Sequence, residues 1–329
     1  MNLGGKAMSK VFDVVALGEL LVDFTEEGIS NQGNPVLEAN PGGAPCNVLA
    51  MLGRLGHQTG FIGKVGRDMF GMQLENALQE TGICTKGLVK DEKIHTTLAF
   101  VHTLEGGERD FSFYRNPGAD MMLMESELDT GMLENCRIFH FGSLSMTDGP
   151  CRRATKRAVE IAKANGAVVS FDPNLREPLW NSLDEAKEQI AYGISQCDIL
   201  KISDNEIQWF TGEQDFDKGV AYLQSHYQIH LILLSLGRDG SRAYMEGKRV
   251  QAAPFLQEST IETTGAGDTF CACVLHYVLE HGLTGYSDGQ LKEMLVFANA
   301  AASIVTTRRG ALRVMPDRSE IDKLIKSKK

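Results

Sequence analysis

Thr263-Thr264-Gly265-Ala266-Gly267-Asp268 sets glycines and one acid directly ahead of an apolar helical pattern. Phe270, Val274, Tyr277 and Val278 fall on one face of that helix. Gly265 and Gly267 have no side chain to hold a ligand away from the backbone. The first N–H groups of a helix lack an internal acceptor and lie at the positive end of its dipole. Such a turn is a cradle for phosphate or another anion. Asp268 would repel a phosphate, so its chemistry there is that of a base, taking a proton from a nucleophile that arrives beside the phosphate. The plainer alternative is a glycine-rich turn with a first-turn acid favoured by the dipole.

A second glycine-led helix start is Pro41-Gly42-Gly43-Ala44-Pro45-Cys46-Asn47, followed by Val48, Met51, Leu52 and Leu55 at helical spacing. The Asn47 amide donates and accepts, which suits a polyhydroxyl ligand; otherwise it is an exposed residue of a helix that Pro45 opens. Glu19 and Asp23 follow the first apolar run, and Asp23 is a candidate to hold sugar hydroxyls or else a solvated loop acid. Three further polar groups each follow a short apolar strand: Asp172-Pro173-Asn174-Leu175-Arg176, then Lys201, Ser203 and Glu206, then the stretch from Ser235 to Gly240. Strand ends of this kind converge at one rim of an α/β sheet, where a pocket forms. Ser235, Gly237 and Gly240 suit nucleotide phosphates, or a simple turn into a hairpin. Arg115 either meets substrate or phosphate charge or is a structural ion-pair partner.

The elements that must position these groups alternate. Apolar runs at 11–17, 61–65, 137–141, 168–171, 199–202 and 231–234 read as buried strands, and 72–81, 153–165, 184–195 and 291–306 as helices. This predicts an α/β fold with a mainly parallel sheet covered on both faces. Residues 25–40 are polar, loop or exposed strand. Residues 96–103 and 109–114 flank Glu105-Gly106-Gly107-Glu108 and predict a hairpin, an accessory sheet that could act as a lid. Residues 1–10 read as a loose tail, and the Lys-rich end as frayed. The 329 residues, 43% hydrophobic, suffice for one large body, with no linker or repeat to divide 11–329. A net charge of -10 argues against a nucleic-acid surface, and no apolar run approaches a membrane span. The odd, scattered cysteines, without Cys-x-x-Cys spacing, fit reduced thiols and a cytoplasmic location. Dispersed histidines give little sign of a transition-metal site.

Together the 263–268 and 41–47 stretches resemble the two signature regions of ribokinase-like (PfkB) carbohydrate kinases, in the right order, and the resemblance spans nearly all of residues 11–316. Phe113-Tyr114-Arg115-Asn116-Pro117-Gly118-Ala119-Asp120, the 172–176 stretch with Leu179-Trp180, and Phe297-Ala298-Asn299-Ala300 resemble its fructokinase branch. The resemblance implies a three-layer α/β/α body with a small β lid, here about residues 20–40 and 95–120, which pairs into a homodimer in many members. It implies ATP-dependent phosphorylation of the fructose 6-hydroxyl with Mg2+. Asp268 then matches the catalytic base, and the amides of Gly265, Ala266 and Gly267 the anion hole. Asp23, Gly42, Gly43, Asn47, Arg115 and Arg176 fall on the substrate side, and Lys201, Ser235, Gly237, Gly240 and Asn299 on the ATP side. Glu206 matches a residue that orders magnesium indirectly, and Glu262 and Thr264 lie at a turn that often binds a monovalent cation such as K+.

Three departures stand out. Glu262 replaces the usual Asp, Ser203 replaces the Asn of an Asn-x-x-Glu motif, and Cys46 replaces a small residue beside Asn47, where packing rather than chemistry is expected. Rival readings are a kinase for 2-keto-3-deoxygluconate, ribose or a nucleoside, and a catalytically silent sugar sensor. A dinucleotide oxidoreductase lacks its Gly-x-Gly-x-x-Gly after the first strand.

Overall fold

The computed structural model describes residues 10–103 and 109–328, so the expected tail over 1–9 and the turn at 105–108 lie outside the described residues. β1 (Phe12–Leu17) is followed by β2 (Leu21–Ile29), β3 (Pro35–Gly42), α1 (Ala44–Arg54), β4 (Thr59–Gly66), α2 (Met69–Glu80) and β5 (Cys84–Asp91). Then come β6 (Leu98–Thr103), β7 (Arg109–Tyr114), the short α3 (Thr130–Glu134), β8 (Cys136–Gly142), α4 (Gly149–Ala164) and β9 (Val168–Asp172). The chain continues through α5 (Leu183–Gln196), β10 (Ile199–Ser203), α6 (Asp204–Thr211), α7 (Phe216–His226), β11 (Leu231–Ser235), β12 (Ser241–Met245) and β13 (Lys248–Ala252). It closes with α8 (Ala266–His281), α9 (Asp288–Val305) and α10 (Arg318–Ser327).

Alternation along the strands sorts the apolar residues into two cores, one on each face of the large sheet. Val14 and Ala16 of β1, with Leu231 and Leu233 of β11, pack with α1, α8 and α9. Val15 and Leu17, with Ile232 and Leu234, pack with α4, α5 and α7 on the opposite face. The result is a helix layer, a sheet and a second helix layer. The sheet runs β13-β12-β11-β10-β9-β8-β1-β4-β5. It is parallel throughout except for β12 and β13, the hairpin that follows the 235–240 turn. Chain order reverses beside β1, which has β4 on one side and β8 on the other. Such a switch point opens a crevice at the carboxyl ends of the strands.

A separate four-stranded sheet, β3-β2-β6-β7, leaves the end of β1 through Glu19 and Leu20. Its β2 and β6 are parallel and its outer pairs antiparallel. Phe24 stacks on Phe100 at 5.0 Å, and Phe70 of α2 meets Phe24 edge-on at 5.6 Å, so aromatic packing ties this sheet to α2.

Three stretches depart from or go beyond the sequence reading. Residues 35–42 form β3, settling the choice between loop and strand at that end of 25–40. β5 is an additional edge strand whose lysines and glycine hide the alternation. The Lys-rich end is a helix, α10, rather than frayed chain: Asp317 and Glu320 form a capping box and Ile321 is buried against the core.

Candidate active site

Two cavities, each ≈ 380 Å³, open at the carboxyl ends of the strands and share Thr263 and Gly267 as lining. One reaches toward the small sheet and includes Asp23, Gly43, Asn47, Phe113, Arg176 and Asp268. The other runs between β11, β12 and α9 and includes Ser235, Gly237, Gly240, Ala266 and Asn299. The glycine turn ahead of α8 is therefore the partition where contents of the two cavities would meet.

Gly265 caps α8 with a left-handed backbone, φ 77°, and a Cβ there would meet Ala311 at 2.9 Å, so glycine is required on two counts. The Ala266 N–H donates to the Thr263 carbonyl at 3.2 Å, which narrows the expected anion hole toward the following amides. Gly267 and Asp268 are in the first turn, where N–H groups have no acceptor within the helix. A Cβ on Gly267 would lie 3.3 Å from the Lys201 ammonium. The absence of that carbon keeps the amides and the cation facing one space. Beyond this turn α8 is buried nearly all round, from Asp268 to Leu279, because α1, α9 and the sheet enclose it.

Asp268 is 8% exposed. Burial raises its pKa above the ordinary carboxylate value, while the Asn47 hydrogen bond and the charges of Lys201 and Arg176 pull the other way. Asn47 Nδ2 donates to Asp268 Oδ2 at 2.8 Å. The pairing depends on α1 and α8 packing side by side, 221 residues apart in sequence. Asn47 Oδ1 is buried with no hydrogen-bond partner among the described residues. A buried acceptor in a cavity wall is costly unless a ligand donor reaches it. Cys46, beside it, is wholly buried, so its thiol is a packing group.

Gly42 and Gly43 shape the approach. A Cβ on Gly42 would overlap the Asp23 carboxylate, 2.1 Å away, and Gly43, φ 127°, abuts the Glu19 carbonyl. Glu19 Oε1 accepts the Ala44 N–H at 2.9 Å at the start of α1. Burial pushes Glu19 up to about 7, helped by Asp120 and opposed by that hydrogen bond and by Arg115. Asp172 and Lys201 form a buried ion pair, 3.0 Å, beneath Gly267. Burial disfavours the Lys201 charge, but Asp172, Glu206 and Asp268 outweigh it and hold the ammonium protonated.

On the other side, Asn299 donates to the Ala253 carbonyl at 3.0 Å and accepts from the Ser241 hydroxyl at 2.9 Å. It orders the loop after β13 as well as lining the cavity. Gly240, φ 89°, lets the hairpin return against Ala252 without a clash.

Several expected positions fall elsewhere. Arg115 lines neither cavity. Its guanidinium is committed to Asp120 at 2.7 Å, to Thr147 and to the Leu144 carbonyl, so the structural ion pair prevails over substrate contact. Lys201, expected on the nucleotide side, faces the Asp23–Asp268 cavity because it shares the sheet face of Ile199, toward α8. Glu206 lines neither cavity. It accepts Leu175 N–H and Ser203 N–H, both at 2.8 Å, and Ser203 caps α6 in return, so serine serves the turn in place of asparagine. Glu262 accepts the Gly310 N–H at 3.0 Å, joining its turn to the loop after α9, and Thr264 lines the Asp268 cavity. Lining residues without an expected role include Phe113, Leu144 and Asn174 on one side and Phe255, Leu256, Phe270 and Ala302 on the other. The apolar group has no motif to reveal it, since a flat ring needs only a greasy slot. Among the described residues no helix is long and apolar enough to cross a membrane.

A buried carboxylate and helix-start amides at the meeting of two cavities, on a three-layer sheet body, have the geometry that phosphoryl transfer needs. The chain belongs to the pfkB family of carbohydrate kinases, which matches residues 11–318, and its fold is the ribokinase-like one. Within that family its relatives at about 40% identity include fructokinases. The probable fructokinase-4 of Arabidopsis thaliana is 39% identical over 315 residues, covering 95% of this chain and 96% of that protein. The crystal structure of a Xylella fastidiosa fructokinase with bound ATP superposes with a TM-score of 0.88 at 29% identity, covering 97% of this chain and 99% of that one. A double mutant of the Vibrio cholerae O395 fructokinase, bound to fructose, ADP and potassium ion, gives 0.84 at 27% identity, covering 96% and 99%.

Proposed function

We propose that this chain transfers the γ-phosphoryl group of ATP to the 6-hydroxyl of D-fructose. The observation that carries the reading is the Asn47–Asp268 hydrogen bond at the partition between the two cavities. It turns a carboxylate toward the point where a hydroxyl from one cavity meets a phosphate from the other. Fructose takes the cavity of Asp23, Gly43, Asn47 and Arg176, and ATP that of Ser235, Gly237, Gly240 and Asn299. Asp268 accepts the hydroxyl proton as the sugar oxygen bonds to phosphorus and the bond to the β-phosphate oxygen breaks. The amides of Gly267 and Asp268 and the Lys201 ammonium offset the charge on the migrating group.

Magnesium fits as an ion held by the triphosphate and water, because both Glu206 oxygens already serve backbone amides. Glu206 then acts indirectly, by ordering the loop that carries Arg176. Bound there, the ion neutralises phosphate charge. A monovalent cation belongs at the 262–264 turn, supported by the potassium in the Vibrio cholerae relative. The small sheet serves as a lid and dimer surface, supported by the exposure of Ile29, Val36, Leu37 and Tyr114. A cytoplasmic location accords with seven cysteines that are all unpaired.

The test is ADP release with Mg-ATP over a panel of fructose, ribose, 2-keto-3-deoxygluconate, glucose and adenosine. Fructose should give the highest kcat/KM by at least tenfold. Preference for another member would replace the substrate, and sugar binding without ADP from any would make the chain a sensor.

A further inference from the structure

At the far end of α8 from Asp268, three metal-ligating side chains converge outside the kinase site. His276 and Glu280 are one helical turn apart on α8, and His57 comes from the loop after α1. One donor atom from each lies within 4.8 Å of the other two. His57 Nε2 and His276 Nδ1 are 2.7 Å apart. The other nitrogen of His57 faces the Asp13 carboxylate at 3.6 Å. An imidazole whose far nitrogen meets a carboxylate is the usual setting of a metal-bound histidine. His276 is buried and His57 partly so, whereas Glu280 is exposed, leaving an entry path and room for water.

We propose that His57, His276 and Glu280 form a binding site for a divalent transition-metal ion of the zinc type. Two imidazoles and one carboxylate, with the remaining position on water, match that ion's ligand preference. Tetrahedral bonds of about 2.0–2.1 Å set ligand atoms about 3.3 Å apart, so the two rings must part by roughly 0.6 Å. Arg318, exposed on α10, stands 3.5 Å from His276 Nε2 and turns away when the ion enters. The ion ties the loop that leaves α1 to α8, and these two helices also present Asn47 and Asp268.

Isothermal titration of ZnCl2 into the full-length, chelator-stripped protein at pH 7.5 without magnesium tests the site. One ion per chain is expected. Glu280→Gln, an exposed change that leaves the fold intact, should weaken binding at least tenfold, and His57→Gln should abolish it. Arg318→Gln should bind as tightly or more tightly. Zinc at a hundred times its Kd should raise the wild-type Tm by roughly 5 °C, and much less in Glu280→Gln. Substituting Co2+ should give visible d–d bands without thiolate charge-transfer absorption, which separates this site from the cysteines. No stoichiometric binding, binding indifferent to both His57→Gln and Glu280→Gln, or a thiolate spectrum would overturn the proposal.

Discussion

As the proposed base, Asp268 has to be buried to be reactive and ionised to be useful, and these demands conflict. Burial raises its pKa; Asn47, Lys201 and Arg176 restrain the rise. As a base it works only when deprotonated, so kcat/KM falls as pH drops through that raised value. Asn47→Ala removes a restraining hydrogen bond, and the acid limb of its kcat/KM profile should therefore move to higher pH, with the plateau lowered about tenfold or more. An unmoved limb would mean that Asn47 does not tune the base. The placement of Asp268 and its glycines at a helix start was legible in the sequence because small residues and an acid there directly precede an apolar helical pattern. Asn47 was legible for the same reason, though its partner was not: contact over 221 residues leaves no local trace. Arg115 read two ways, and Asp120, five residues on, decides between them.

At the scale of elements, the site rests on helix starts. α1 opens with Gly43 and Glu19 caps it through the Ala44 N–H. Folding raises Glu19 from 4.5 to about 7, first by burial. The native state thus keeps a proton that the unfolded chain has lost, so this group's contribution to stability is present below pH 4.5 and falls as pH rises through 7. Glu19→Gln keeps an oxygen for Ala44 and removes the charge. It should leave stability nearly unchanged at pH 4.5 and increase it at pH 8 by on the order of 3 kcal/mol, read from urea unfolding. A variant less stable at pH 8 would contradict the pKa assignment. Core strands such as β1, β10 and β11 were legible because they are apolar runs buried on both faces. β5 was not, because an edge strand shows half its residues to water, and α10 was not, because a helix that buries little beyond Ile321 reads as a charged tail.

At the scale of the molecule, one large sheet supplies both cavities and one small sheet borders the cavity of Asp268. Ile29, Val36, Leu37 and Tyr114 are exposed apolar groups of the small sheet, with Leu37 and Tyr114 on one face. Sedimentation should find a dimer that Leu37→Glu with Tyr114→Glu splits; a wild-type monomer at micromolar concentration would remove the dimer. The proposed reaction depends on two cavities meeting beside one carboxylate. The direct measurement is turnover of Asp268→Asn alongside its ATP affinity, since the amide keeps the shape and an oxygen for Asn47. Fructose phosphorylation should fall by about a thousandfold or more with the Kd for ATP within threefold of wild type. A variant that still phosphorylates fructose within tenfold of the wild-type rate would contradict the account.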